Sequence, residues 1–174
     1  MSKSKQGNKQ FGATLIGACI TLAVSATLVG KALPSMTGAQ QHQQLRAAAD
    51  QMRTDIQELR QMAVTGGRSL SLHVEGACYI VHDGANGDCR CDAVSHEAVC
   101  RGDTQALKVQ WPAASLAIGS SRDSIFAAGQ GTVSPTATIT LRSRSGEELR
   151  QVIAITGRVR TCAVGGASSG LPAC

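Results

Sequence analysis

The stretch KQFGATLIGACITLAVSATLVGKALP, residues 9–34, decides how the rest of the chain is read. A basic leader containing Lys3, Lys5 and Lys9 ends at Gly12, and no charged residue follows from Ala13 to Gly30. As a helix rising about 1.5 Å per residue, that run is about 27 Å long. A hydrocarbon core is about 30 Å thick. The lysines precede the run, so the positive-inside rule keeps the N-terminus in the cytoplasm and sends everything after Lys31 across the membrane. An ordinary secretory signal peptide is the alternative, but its apolar core runs only about 7–15 residues and ends at a small-x-small site. Thr37-Gly38-Ala39 is a poor site of that kind.

Outward from this stretch, the helix resumes beyond Pro34. Leu45, Ala49, Met52, Ile56, Leu59 and Ala63 recur at steps of four and three, one apolar stripe. Arg46, Asp50, Arg53 and Asp55 lie off the stripe, with Asp50 placed to meet Arg46 or Arg53 along the helix. Gly66-Gly67 end the helix, since glycine takes the left-handed C-cap conformation without a Cβ penalty. Anchor and stripe are expected to form one long helix over residues 14–64, bent or loosened near Pro34.

Beyond Gly67 the period changes to two. Leu70, Leu72 and Val74 alternate with Ser69, Ser71 and His73 as in a half-buried strand. Residues 78–81, 106–110 and 115–118 read as short strands. Ala137, Ile139 and Leu141 alternate with threonines, and Gly146 turns this strand towards the apolar run 149–155, a candidate central strand. Residues 83–102 are polar and cysteine-rich and are expected to form a stapled loop. The expected fold class is α+β: a leader at 1–12, an N-terminal helix at 13–64 whose 13–33 portion spans the membrane, and an antiparallel β head at 65–174.

The chain has seven cysteines, which points to an oxidising compartment. Cys19 falls in the apolar run and reads as a free thiol. The other six, Cys78, Cys89, Cys91, Cys100, Cys162 and Cys174, all follow the anchor and allow 15 connectivities. Cys162–Cys174 is expected to close the Gly/Ser-rich C-terminal loop, with the other four pairing among themselves. Zinc on Cys89, Cys91, Cys100, His82 and His96 is the competing reading, but the spacing fits no standard finger. No metal or cofactor is expected.

Charge is unevenly spread along a chain of net charge +5. In residues 75–103, Glu75, Asp83, Asp88, Asp92, Glu97 and Asp103 face only Arg90 and Arg101. From 104 onward, Lys108 and the arginines at 122, 142, 144, 150, 158 and 160 outnumber Asp123, Glu147 and Glu148. One side of a small head is then attractive to polyanions.

Gly12-Ala13-Thr14-Leu15-Ile16 resembles the processing site of type IV prepilins and pseudopilins. The resemblance implies cleavage by a prepilin peptidase between Gly12 and Ala13, methylation of the new N-terminus, and a single-pass inner-membrane helix with its head in the periplasm. Pro34 then stands where family members commonly carry a kinking proline. Gly17 departs from the pattern, which has a glutamate there that pairs with a neighbouring subunit's amine. That departure suits a minor or tip subunit. Ser124-Ile125-Phe126, Gly129-x-Gly131, the threonine-rich strand and Gly157-Arg158-Val159-Arg160-Thr161-Cys162 narrow the resemblance to the FimT/GspH group of minor pilins and pseudopilins.

In FimT-type members a Gly-Arg-x-Arg element is implicated in DNA binding, which implies that role for Gly157, Arg158 and Arg160. Residues two apart in a strand share a face at about 6.5–7 Å, so Arg158 and Arg160 point outward while Val159 points inward. Guanidinium groups bind phosphate through bidentate, charge-assisted hydrogen bonds. Arg142 and Arg144 repeat the spacing and are candidates to extend the patch, unless these arginines pair with Glu147 and Glu148. Aromatics make up 2% of the chain, so base stacking lacks material and binding should be phosphate-led and salt-sensitive.

No nucleophile elbow, P-loop or His-Glu-x-x-His motif occurs, so an enzyme is not expected. The scattered His42, His73, His82 and His96 read as ordinary surface or packed residues. Expected partners are other pilin or pseudopilin subunits, the prepilin peptidase, the membrane and DNA. The expectation is a minor type IV pilin acting in pilus assembly and DNA uptake. Its alternatives are a type II secretion pseudopilin and a secreted, disulfide-rich binding protein.

Overall fold

The computed structural model describes residues 15–165 and 170–174, without the side chains of 15–16 and 25–37. The expected processing site at Gly12 and Ala13 lies outside the described residues. Helix α1 spans Leu15–Gly66, and the chain divides into units Met1–Gly38 and Ala39–Cys174. In the first unit Ile20, Leu22 and Val24 are 58%, 70% and 53% exposed. Cys19 there is free and exposed. Among the described residues no helix is long and apolar enough to cross a membrane.

Among the described residues the second unit holds the remainder of α1 and eleven strands, numbered in chain order. The five-stranded sheet contains β1 (Leu70–Glu75), β2 (Cys78–His82), β5 (Ala106–Gln110), β7 (Ser124–Phe126) and β8 (Val133–Ser134), in the order β5-β2-β1-β7-β8. The four-stranded sheet, in the order β11-β10-β9-β6, contains β6 (Leu116–Ser120), β9 (Ala137–Ser143), β10 (Glu148–Ile153) and β11 (Val159–Ala163). Every named pair in both is antiparallel. The apolar stripe of α1 forms their common core: Leu45, Met52, Ile56, Leu59 and Ala63 are fully buried against Tyr79 and Val81 of one sheet and Ile139, Leu141, Leu149 and Ile153 of the other. Gly67, at φ +60°, follows the helix in the left-handed conformation that suits glycine.

Two expectations need correction. Residues 83–102 are not simply a loop, because β3 (Cys89–Asp92) and β4 (Glu97–Cys100) form a two-stranded sheet within them. Four residues are too few to show a period. The hairpin is defined instead by disulfides Cys78–Cys91 and Cys89–Cys100 and by Trp111, whose Nε1 donates to the His96 carbonyl at 2.9 Å. It covers the second face of β2, so all five residues of that strand are buried, and Cys78, Ile80 and Cys89 make a small second core. Asp55 lies off the apolar stripe but is 2% exposed. Its carboxylate accepts from Tyr79 Oη at 2.6 Å, Lys108 Nζ at 2.8 Å and Gln51 Nε2 at 2.8 Å. Burial and that carboxylate push the Tyr79 hydroxyl well above the ordinary phenol range, while Asp55 and Glu58 raise the Lys108 ammonium. Among the described residues Asp50 forms no ion pair with Arg46 or Arg53.

Candidate nucleic-acid interface

Strands β10 and β11 form a hairpin closed by residues 154–157. The Gly157 amide donates to the Ala154 carbonyl at 2.8 Å, and the Ala154 amide donates to the Arg158 carbonyl at 2.9 Å. Gly157 sits at φ +75°, and a Cβ there would overlap the Gly131 carbonyl and Arg60 Cδ. Gly131, at φ +62°, also lacks room for a Cβ, which would overlap Val64 Cγ2 and Arg60 Cγ. Arg60 Nε donates to the Gly131 carbonyl at 3.3 Å, and the Gly129 amide donates to the Ala63 carbonyl at 3.0 Å. The last turn of α1, the 127–132 segment and the hairpin turn therefore lock together where three backbones come close. Gly157 is needed for this packing, so the close approach it permits is that of the chain's own backbone.

The lock aims the arginines. Arg158 and Arg160 are exposed and Val159 is buried, with Arg160 opposite Val152 on β10. Thr161 points inward and donates to Gln151 Oε1 at 2.9 Å, and Gln151 Nε2 donates to the Ala49 carbonyl at 2.8 Å. This buried polar chain ties β11 to the helix. Arg53 and Asp50 of α1 line a groove of about 640 Å³ together with Arg158 and Arg160. Among the described residues no ion pair involves Arg53, Arg158 or Arg160, which leaves three guanidinium groups opposed by one carboxylate.

Arg142 and Arg144 do not join them. Arg142 lies opposite Glu148 at the start of β10, whereas Arg160 lies opposite Val152, four residues further along, or about 14 Å at strand spacing. Arg142 Nη2 and Arg150 Nε both bind Glu148, at 2.5 Å and 2.9 Å. Chiefly through Arg142, they hold its carboxyl below the usual range. Arg144 Nη2 donates to the Ala114 carbonyl at 3.4 Å. Of the expected disulfide residues, Cys162 pairs with Cys174, which fastens the C-terminal segment beside β11. Sequence reasoning missed Arg53 because its helix position reads as a solvated face. No local signal could have found it, because β11 comes beside it from far along the chain.

His82 is the other buried polar group of note, with 0% exposure and no partner for Nε2 among the described residues. Burial, helped by His73, holds its imidazole below the ordinary range against the pull of Asp88, Asp123 and Asp83. Its Nδ1 accepts from the Gly84 amide at 3.2 Å, so it reads as a packed histidine. Among the described residues no group of histidine, cysteine, aspartate or glutamate side chains is placed to hold a metal ion.

Residues 48–157 match the family described as type II transport protein GspH. The match stops one residue short of Arg158. No curated protein matches the sequence significantly. Among solved structures, the chain is similar to the type IV minor pilin FimU of Pseudomonas aeruginosa at 18% identity and TM-score 0.51, over 70% of this chain and 93% of that one. It is also similar to EpsH, a minor pseudopilin of the Vibrio cholerae type 2 secretion system, at 11% identity and TM-score 0.50, over 71% of this chain and 99% of that one. At these identities the structures share a fold.

Proposed function

The chain belongs to the family of the type II transport protein GspH, and we propose that it works as a minor pilin. In this reading prepilin peptidase cuts after Gly12, Ala13 becomes the N-terminus, and the first part of α1 holds the head in the periplasm until the subunit enters a fibre. Exposed Ile20, Leu22 and Val24 support this, since such a run in water would be an apolar liability and in lipid or a helix bundle would be satisfied. The subunit is a structural component with no catalytic role. Its function within the fibre is to bind DNA through Arg158 and Arg160, with Arg53 as a third phosphate ligand. The observation that carries this is the groove lined by three guanidinium groups that form no ion pair among the described residues. A pseudopilin of a secretion system is the second reading, favoured by the likeness to EpsH.

The full chain in mild detergent should shift DNA mobility at low salt. Arg158→Gln with Arg160→Gln should weaken binding about tenfold or more. The slope of log affinity against log salt should also flatten by about 0.9 for each phosphate no longer neutralised. Arg53→Gln should free one further phosphate, and Arg142→Gln with Arg144→Gln should leave affinity within about twofold. Unchanged affinity in a folded Arg158/Arg160 variant would remove the DNA reading and leave the secretion reading in front.

A further inference from the structure

The edge of β11 has an open slot beside the C-terminal segment. Residues 158, 160, 162 and 164 turn their backbone groups towards β10, as the Ala154–Arg158 and Val164–Glu148 hydrogen bonds require. Val159, Thr161 and Ala163 therefore turn theirs outward. Ala163 is satisfied there: its amide donates to the Pro172 carbonyl at 2.9 Å, and its carbonyl accepts from the Cys174 amide at 3.1 Å. Ala173 pairs parallel with Ala163, so this segment already acts as a short added strand, pinned by Cys162–Cys174. It stops there. Among the described residues the outward amides and carbonyls of Val159 and Thr161 have no partner. Their side chains turn into the core, which leaves the two residues 4% and 8% exposed, and an unpaired strand edge of this kind is a template for another strand.

We propose that this slot takes an extended acidic segment of a partner protein as an added strand. Val159 and Thr161 each present one donor and one acceptor, a pattern that another polypeptide backbone matches. A phosphodiester offers acceptors only and would leave both carbonyls unpaired, so the slot differs in chemistry from the phosphate-binding role of the neighbouring side chains. The groove of about 640 Å³ on this edge is lined by Val159 and Thr161 together with Ala154, Pro172 and Arg53. Arg158 and Arg160 share the outer face of the sheet, so an added strand meets them with side chains two residues apart. Acidic residues at those two positions complete the fit. The inference stands on the open edge and does not rest on DNA binding.

Hydrogen–deuterium exchange on the full chain in detergent micelles, resolved to single amides, tests it. The probe is acetyl-Thr-Glu-Val-Glu-Thr-amide. In the free chain the amides of Val159 and Thr161 should exchange fast, while those of Arg160 and Cys162, bonded to β10, stay slow. Saturating peptide should slow Val159 and Thr161 at least about tenfold and leave Arg160 and Cys162 unchanged. The same peptide with its edge-facing amides N-methylated should give no slowing, and a lysine-for-glutamate peptide should bind weakly. Three outcomes would overturn the proposal: no slowing with the glutamate peptide, equal slowing with the N-methylated one, or slow exchange of both amides before any peptide is added.

Discussion

Asp55→Ala should cost the second unit about 3 kcal/mol of stability, because it leaves a half-buried cation and a buried hydroxyl without their shared acceptor. The Asp55 side chain is 1% exposed while that of Lys108 is 27% exposed. Lys108 also binds Glu58, at 2.6 Å, so the loss should fall at the lower end of what breaking a buried pair usually costs. Tyr79→Phe removes only one donor and should cost about 1 kcal/mol. Thermal unfolding of the full chain in mild detergent ranks the two. Equal small losses would show that the network does little to hold α1 against β2 and β5.

Gly157→Ala should be comparably damaging for a different reason. A left-handed conformation costs a non-glycine residue about 1–2 kcal/mol, and overpacking adds about 1–3 kcal/mol, for a total of about 3 kcal/mol. The Cβ would press on the Gly131 carbonyl and on Arg60, prising the hairpin turn from the end of α1. Gly146 provides the comparison. Its φ is +88° with open space around it, so Gly146→Ala should show only the conformational part, about 1–2 kcal/mol. Similar losses at the two sites would mean that the close packing of helix end and hairpin turn contributes nothing.

These two positions also mark where sequence reasoning reached and where it stopped. The stripe from Leu45 to Ala63 was legible because helical spacing is a local property, and each of its six members is at most 1% exposed. The outward–inward–outward order of Arg158, Val159 and Arg160 was legible for the same reason. Asp55 was not, since what covers it comes from Tyr79 and Lys108, far along the chain. The need for glycine at 157 depends on Gly131 and Arg60, which only the fold brings together. Arg53 was placed correctly on a face off the stripe, but nothing local said that β11 would lie beside it. Hairpin β3–β4 was hidden because its buried side is defined by disulfides and Trp111 rather than by an apolar period. Arg142 and Arg144 share the i, i+2 spacing of the other pair, yet strand register puts them at the other end of β10 beside Glu148.

A minor pilin must keep its N-terminal helix after maturation. The direct measurement is the intact mass and N-terminal sequence of the chain recovered from the membrane fraction of a host with an active prepilin peptidase. The expected product begins at N-methylated Ala13 and stays with membranes or fibres. A soluble chain beginning at Gln40 would end the pilin reading.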